Sequence, residues 1–249
     1  MDFCLLVPDV HIPFEDARAF ELMLQVARSL RIKMVILLGD FLDIYGLSFH
    51  KKDPGVIGDP AELMYREVSI GIKRKEQLET LGAAEYVFLE GNHEDRMKRH
   101  LTEYSPALRN SLTVPTELKL SNQWKWIPFG PTQRFRVGPK LNIWCSHCPP
   151  AGGSIENIAK QAGASICFGH DHSLRQAEFV SKVSHESIMA SGCGWLGDDR
   201  HSVFRYVTRK PNWAKGFGLI DEHGGIHLVR IRQSGDRYLA TFGEREYWG

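Results

Sequence analysis

Eleven histidines stand out in this chain of 249 residues, and five of them sit in short clusters, four of the five beside carboxylates or an amide. The clusters are Asp9-Val10-His11, Gly39-Asp40-Phe41-Leu42-Asp43, Gly91-Asn92-His93-Glu94, Ser146-His147 and Gly169-His170-Asp171-His172. Carboxylate, imidazole and amide oxygen together suit a borderline divalent ion such as Mn2+, Fe2+ or Zn2+. No cysteine stands at these positions, which argues against a structural zinc site. So many candidate ligands exceed what one tetrahedral ion with an open position can use, but they fit two ions that share a carboxylate. Such ions lie ~3.5–4 Å apart and clamp the attacking and leaving oxygens of an in-line displacement, with a bridging hydroxide as nucleophile.

The clusters are far apart in the chain, so the elements between them must bring them together. Residues 3–7, 34–38, 86–89, 141–145 and 164–168 are short apolar runs of strand length. Each run is followed at once by one of the five clusters. Apolar residues at helical spacing predict a helix over 16–30, through Ala19, Phe20, Leu22, Met23, Val26, Ala27 and Leu30. A second helix is predicted over 60–81. There Ala61, Leu63, Met64, Val68, Ile72 and Leu78 form one side, and Lys73, Arg74, Lys75 and Glu76 the other. Near the C-terminus, 216–220 and 226–231 flank Gly224-Gly225 and predict a hairpin. Strands alternating with helices predict an α/β sandwich with helices covering the sheet faces. Ligands collect at the C-terminal strand ends of such sheets, so residues from 9 to 172 would converge on one crevice. The segments 44–59 and 113–138 read as connections near that crevice, within a single domain spanning 1–249.

The ordered set Asp-x-His, Gly-Asp-x-x-Asp, Gly-Asn-His-Glu, His and Gly-His-x-His, running from Asp9 to His172, resembles the calcineurin-like metallophosphoesterases. The resemblance implies a four-layer α/β/β/α sandwich with two central mixed sheets. It implies two divalent ions as cofactors, manganese foremost, with iron, zinc, nickel or magnesium as other fits. Carried over residue by residue, it places Asp9, His11, Asp40 and His172 on the first ion. A bridging Asp40 would join Asn92, His147 and His170 on the second. His93 would face the scissile phosphate and protonate the leaving oxygen or stabilise its charge, and Asp43 would hold the His93 imidazole in its working tautomer. Glu94 would support the turn or a ligand. The Ser/Thr protein phosphatase branch has an arginine directly after the second Asp of Gly-Asp-x-x-Asp. Here that position is Ile44, which weakens the protein-phosphatase reading. His172 is closer to the nuclease and phosphodiesterase branches. The stretch from Gly91 to Arg96, and Trp213-Ala214-Lys215-Gly216-Phe217-Gly218, are similar to small bacteriophage-encoded members of the family.

Other residues carry competing readings. Arg96, followed by Lys98, Arg99 and His100, is a candidate substrate-binding residue for phosphate, against the alternative of a solvated helix face. Lys51 and Lys52 carry the same two readings. Trp124, Trp126 and Trp195 could stack on a base, with core packing the commoner role. Cys145 and Cys148 frame His147 in a Cys-x-x-Cys and read as small buried residues at a strand end, not as a redox pair. His50, His100, His185, His201, His223 and His227 match no cluster and read as surface residues, with His201 able to reach the site from a late loop.

Composition sets the outer bounds. Lys+Arg number 31 against 30 Asp+Glu, a formal net charge of +1. That argues against holding nucleic acid by bulk electrostatics but leaves a local phosphate site open. Hydrophobic residues at 43% and charged residues at 24% are the balance of an ordinary globular protein. No apolar run approaches the ~18–20 residues of a membrane span, so no membrane partner is expected. The N-terminus lacks the marks of a signal peptide. Five cysteines are too sparse for a disulfide framework, so the expected compartment is cytoplasmic, or the host cytoplasm for a phage-encoded protein. The leading expectation is a phosphodiesterase acting on a nucleotide or nucleic-acid diester. Two alternatives remain: a phosphomonoesterase, including a protein phosphatase, with Arg96 or Arg200 as clamp, and a non-catalytic binding module of the same fold.

Overall fold

A computed structural model describes residues 1–48, 54–180, 185–204 and 212–249. Two mixed sheets pack face to face in it, with helices outside each, in the four-layer order the motifs implied. The larger sheet contains β1 (Asp2–Val7), β2 (Arg31–Leu37), β3 (Glu85–Leu89), β4 (Trp124–Ile127), β10 (Gly216–Asp221), β11 (Ile226–Ser234), β12 (Arg237–Phe242) and β13 (Arg245–Trp248). Its order is β13-β12-β11-β10-β1-β2-β3-β4, parallel from β1 to β4 and antiparallel beyond. The smaller sheet contains β5 (Phe135–Arg136), β6 (Ile143–Ser146), β7 (Ser165–Phe168), β8 (Leu174–Val180) and β9 (Ser187–Cys193), in the order β5-β6-β7-β9-β8. The helices are α1 (Ala17–Arg28), α2 (Pro54–Ile57), α3 (Pro60–Glu79), α4 (Asp95–Tyr104), α5 (Val114–Glu117) and α6 (Ile155–Ala162).

The uninterrupted apolar runs follow from burial on both faces. Successive side chains of a strand point to opposite sides, and a sheet covered on both sides has no polar face. In β1, Phe3, Leu5 and Val7 join the core under α1, while Cys4 and Leu6 face the second sheet. In β3, Tyr86 and Phe88 point one way and Val87 and Leu89 the other. The second sheet contributes Ile143, Cys145, Cys167 and Cys193 to the inter-sheet layer, and α6 covers its far side through Ile155, Ile158 and Ala159.

Helix α1 matches its spacing. Asp16 caps it by accepting the Ala19 N–H, and Ala19, Phe20, Leu22, Met23, Val26 and Ala27 are buried. Helix α3 corrects the expected pattern, because its buried stripe is Leu63, Glu67, Gly71, Lys75 and Leu78. Lys75 was expected on the polar side. It is buried because its ammonium has partners, donating to the Lys119 carbonyl (3.4 Å) and lying 3.3 Å from Glu79. Glu67 is buried because its carboxylate accepts the Ile44 N–H. The segment 113–138 is built into the fold, with β4 extending the parallel edge beside β3 and β5 pairing with β6. The C-terminal hairpin is present as β10 and β11.

Candidate metal centre

The five clusters meet at the C-terminal ends of β1, β2, β3, β6 and β7. The backbone there is strained. Asp9, His11, Asp40, His170 and His172 all have positive φ, between 27° and 69°. Among the described residues the other non-glycine cases are Ile44, Lys119 and His185. Each such conformation costs about 1–3 kcal/mol and persists where the surroundings enforce it, commonly at functional sites. The crossing is tight as well. A Cβ on Gly91 would collide with the Asp40 amide and carboxylate, and one on Gly169 with the Asp9 carboxylate. Glycine is needed at both positions for the strand ends to approach.

His11 and His172 form one group with Asp9. The His11 Nδ1–H donates to Asp43 Oδ2 (2.9 Å). That fixes the tautomer and leaves His11 Nε2 as a lone pair, 3.0 Å from His172 Nε2 and 3.9 Å from Asp40 Oδ2. His172 Nε2 is also 3.5 Å from Asp9 Oδ1, and His172 Nδ1 is buried without a partner. Burial keeps both rings neutral: His11 is lowered, and His172 falls to about 4.

His147, His170 and Asn92 form a second group. The His147 Nδ1–H donates to the Leu38 carbonyl (2.8 Å), so its Nε2 is a lone pair in the neutral ring. That nitrogen faces Asn92 Oδ1 (2.8 Å), His170 Nδ1 (3.2 Å) and Asp40 Oδ1 (3.4 Å). Asp40 therefore lies between the groups, with one oxygen toward each. Acceptors converging in this way require either a proton or a cation among them. Burial disfavours the charged His147 ring, but Asp40 and then Asp9 outweigh it and lift the ring to about 9. Burial, and then Asp40, raise Asp9 to about 7. Burial acts against the Asp40 carboxylate too, but His147 and His93 overcome it and hold Asp40 well below the carboxylate range. Among the described residues no lysine or arginine pairs with Asp9 or Asp40. Four sets of donor atoms could each hold a divalent cation: Asp9, His11 and His172; Asp9, Asp40 and His147; His11, Asp40 and His93; and His147, Cys148 and His170. The residues thus fit divalent ions of the borderline type.

His93 stands beside these groups. Its Nδ1–H donates to the Asp43 carbonyl (3.1 Å) and lies 3.2 Å from Asp43 Oδ2. Burial opposes its charge, but Asp40 and Asp43 raise the ring above the usual imidazole value. Arg96, in the first turn of α4, donates to the Asp43 carbonyl (2.8 Å) and to His93 Nε2 (2.9 Å). The solvated-face alternative fails for this residue, which is 8% exposed, although Lys98 and Arg99 are exposed. Glu94 accepts N–H bonds from Asp40, Leu42 and Gly91 (3.0, 2.7 and 2.8 Å) and so ties β2's end to β3's. Asp171 lines the cavity edge and bonds Ser173 and Arg175.

A cavity of about 530 Å³ opens over His93, Arg96 and His170, with Tyr45, Phe204 and Trp213 on its wall. No motif marks Tyr45 or Phe204, and Trp213 opens the late stretch 213–218 without an expected role at the site. Trp195 is buried and stacks on His172 at 4.9 Å and 10° between planes. Trp124 is buried beside Tyr86, and Trp126 packs on Phe88. His201 packs on Phe14 and does not line this cavity. His185, His223 and His227 are exposed, and His100 is half-buried against Tyr104. Arg200 is committed to Asp198 through two bonds of 2.8 Å. His50, Lys51 and Lys52 lie outside the described residues. Of the Cys-x-x-Cys pair, Cys145 is buried as expected. Cys148 is instead half-buried, with its thiol close to His147 and His170.

No family model matches the chain, and no curated protein does. Solved structures do. Vps29 of Chaetomium thermophilum aligns over 99% of this chain and 93% of its own, with TM-score 0.50 and 11% identity. A single mutant of Vps29 from Entamoeba histolytica (TM-score 0.45, 13% identity, 99% and 97% coverage) and Pseudomonas putida nuclease MPE (0.35, 18%, 98% and 86%) also match. The chain thus shares the fold of Chaetomium thermophilum Vps29, with two mixed sheets packed in an α/β sandwich. At this identity the likeness defines architecture alone.

Proposed function

We propose that the chain is a metal-dependent phosphoesterase, and specifically a phosphodiesterase. One divalent ion would be held by Asp9, His11, Asp40 and His172, and the other by Asp40, Asn92, His147 and His170. The observation that carries this reading is the position of Asp40, with one oxygen toward each of two imidazole groups whose Nε2 lone pairs face other acceptors. When bound, the ions would supply an activated water and neutralise charge on the phosphate.

The remaining roles fall to side chains. Asp43 holds the proton on His93 Nδ1; Nε2 accepts from Arg96 in the free protein, and Asp40 and Asp43 favour a second proton there once Arg96 turns to the phosphate. That proton is the one available to a leaving oxygen in the cavity. Arg96 offers its guanidinium to a phosphate oxygen seated next to His93. Diester chemistry is favoured because Ile44 is apolar and fully buried and Arg200 is engaged elsewhere, which leaves Arg96 as the arginine at the cavity among the described residues. A diester carries one negative charge, whereas a monoester dianion needs further cationic clamping.

The test is kcat/KM on bis-p-nitrophenyl phosphate against p-nitrophenyl phosphate, for protein stripped with chelator and reloaded with Mn2+. A diester preference is expected, with a loss of about 10²–10⁴-fold in His93→Ala, the range of general-acid roles. A monoester preference would establish the phosphomonoesterase alternative, and metal-loaded protein inert on both would establish the binding module.

A further inference from the structure

We propose that Cys148 supplies a sulfur donor to the cation position formed by Asn92, His147 and His170, which makes that position select thiophilic ions. The inference rests on the metal-binding reading above and goes beyond it, because the motifs place no thiol there.

Three observations carry it. First, the Cys148 sulfur and one ring nitrogen each of His147 and His170 lie within 4.8 Å of one another. Zinc-type bond lengths of ~2.3 Å to sulfur and ~2.0–2.1 Å to nitrogen put tetrahedral ligands about 3.5 Å apart. The observed cluster is looser than that spacing by at most about 1.3 Å, the difference between 4.8 and about 3.5 Å. Second, the fully buried His147 points its Nε2 lone pair into this space, where the other atoms it meets are also acceptors. Third, the cysteines divide into two kinds. Cys4, Cys145, Cys167 and Cys193 are packed in the layer between the sheets, and Cys148 alone is turned out of it toward the strand-end cluster. Its backbone is held there. Ser146 Oγ donates to the Cys148 carbonyl (2.6 Å), and Pro149-Pro150 follow, which restricts Cys148 to extended conformations.

Binding would release the Cys148 proton to solvent and form a metal–sulfur bond without redox change. A soft donor beside two imidazoles favours Zn2+, Cd2+ or Co2+ over Mn2+ or Mg2+.

The experiment is Co2+ titration of chelator-stripped full-length protein, followed by absorption spectroscopy with the bound metal counted in parallel. Wild type should show a thiolate-to-cobalt charge-transfer band in the near ultraviolet. Cys148→Ser should lose the band while still binding cobalt, and its Cd2+ affinity should fall at least about tenfold while its Mn2+ affinity holds within about twofold. X-ray absorption at the cobalt edge of wild type covers the case of a variant that does not fold, with a sulfur neighbour expected near ~2.3 Å. Cobalt bound without a charge-transfer band, or a band that survives Cys148→Ser, would overturn the thiolate proposal and leave the metal reading standing. A wild type that binds no divalent ion would overturn both.

Discussion

The two halves of the site are built differently. Asp9, His11 and His172 are closed in: they are 0%, 1% and 7% exposed. His172 lies flat on Trp195, and Phe204 and Trp213 complete an aromatic roof. The His172 ring is held by packing, and the His11 ring by packing and its bond to Asp43. Asn92, His147 and His170 lie at the rim. His147 is buried and fixed by backbone bonds, with its N–H donated to Gln133 Oε1 (3.0 Å) and its ring to Leu38, but Asn92 is half-buried and His170 exposed. The contrast teaches that ligand identity and ligand access are separate properties. Both halves line the same cavity, through His11 and His172 on one side and Asn92 and His170 on the other, yet only the rim half has an exposed ligand, His170. We expect the roofed half to exchange its ion slowly and the rim half to exchange quickly.

The strongest way to break the comparison is to remove what the halves share. Asp40→Asn should abolish turnover and lower occupancy in both halves, measured by elemental analysis after gel filtration. Retention of one full equivalent with normal exchange would mean that Asp40 serves a single half. Trp195→Ala should act on the roof alone. Removing a fully buried tryptophan costs about 3–5 kcal/mol of stability, read by urea unfolding. The slow phase of metal release to a chelator should quicken while the fast phase stays put. Lowering pH should act on the rim. His147 is lifted from 6.5 to about 9, so its proton stabilises the metal-free fold, fully below about 6.5, and that contribution fades as pH rises through about 9. A cation must expel this proton. Rim affinity should therefore fall about tenfold per unit as pH drops from about 9 to about 7, read by calorimetry, while the roofed half, whose Asp9 sits at about 7 and His172 at about 4, changes less over that range. The smallest effect belongs to Arg96→Ala, which should raise KM on the order of tenfold, as for loss of a hydrogen bond to a charged group, with metal content unchanged.

The sequence made the centre of the molecule readable and its flanks much less so. Strands β1, β2, β3, β6 and β7 are buried on both faces, so each reads as an apolar run with its ligand at the end. The edge strand β8 alternates half-buried and exposed residues in Leu-Arg-Gln-Ala-Glu-Phe-Val, and β4 and β5 are too short to carry a period. Charge patterns misled for a related reason. A basic run says nothing about which way the first turn of its helix points, and Arg96 turns inward onto Asp43 and His93. Glu67 and Lys75 are buried because partners from distant segments, Ile44 and Lys119, satisfy them. Cys148 was hidden because its role depends on where the chain turns after β6.

The central claim is that two cations share Asp40, and the most direct test counts ions against turnover. Chelator-stripped protein would be titrated with Mn2+ while bound metal and bis-p-nitrophenyl phosphate hydrolysis are followed together. A shared Asp40 requires saturation at two equivalents, with hydrolysis appearing as the second, rim ion binds. Saturation at one equivalent with full turnover, or no binding at all, would contradict it.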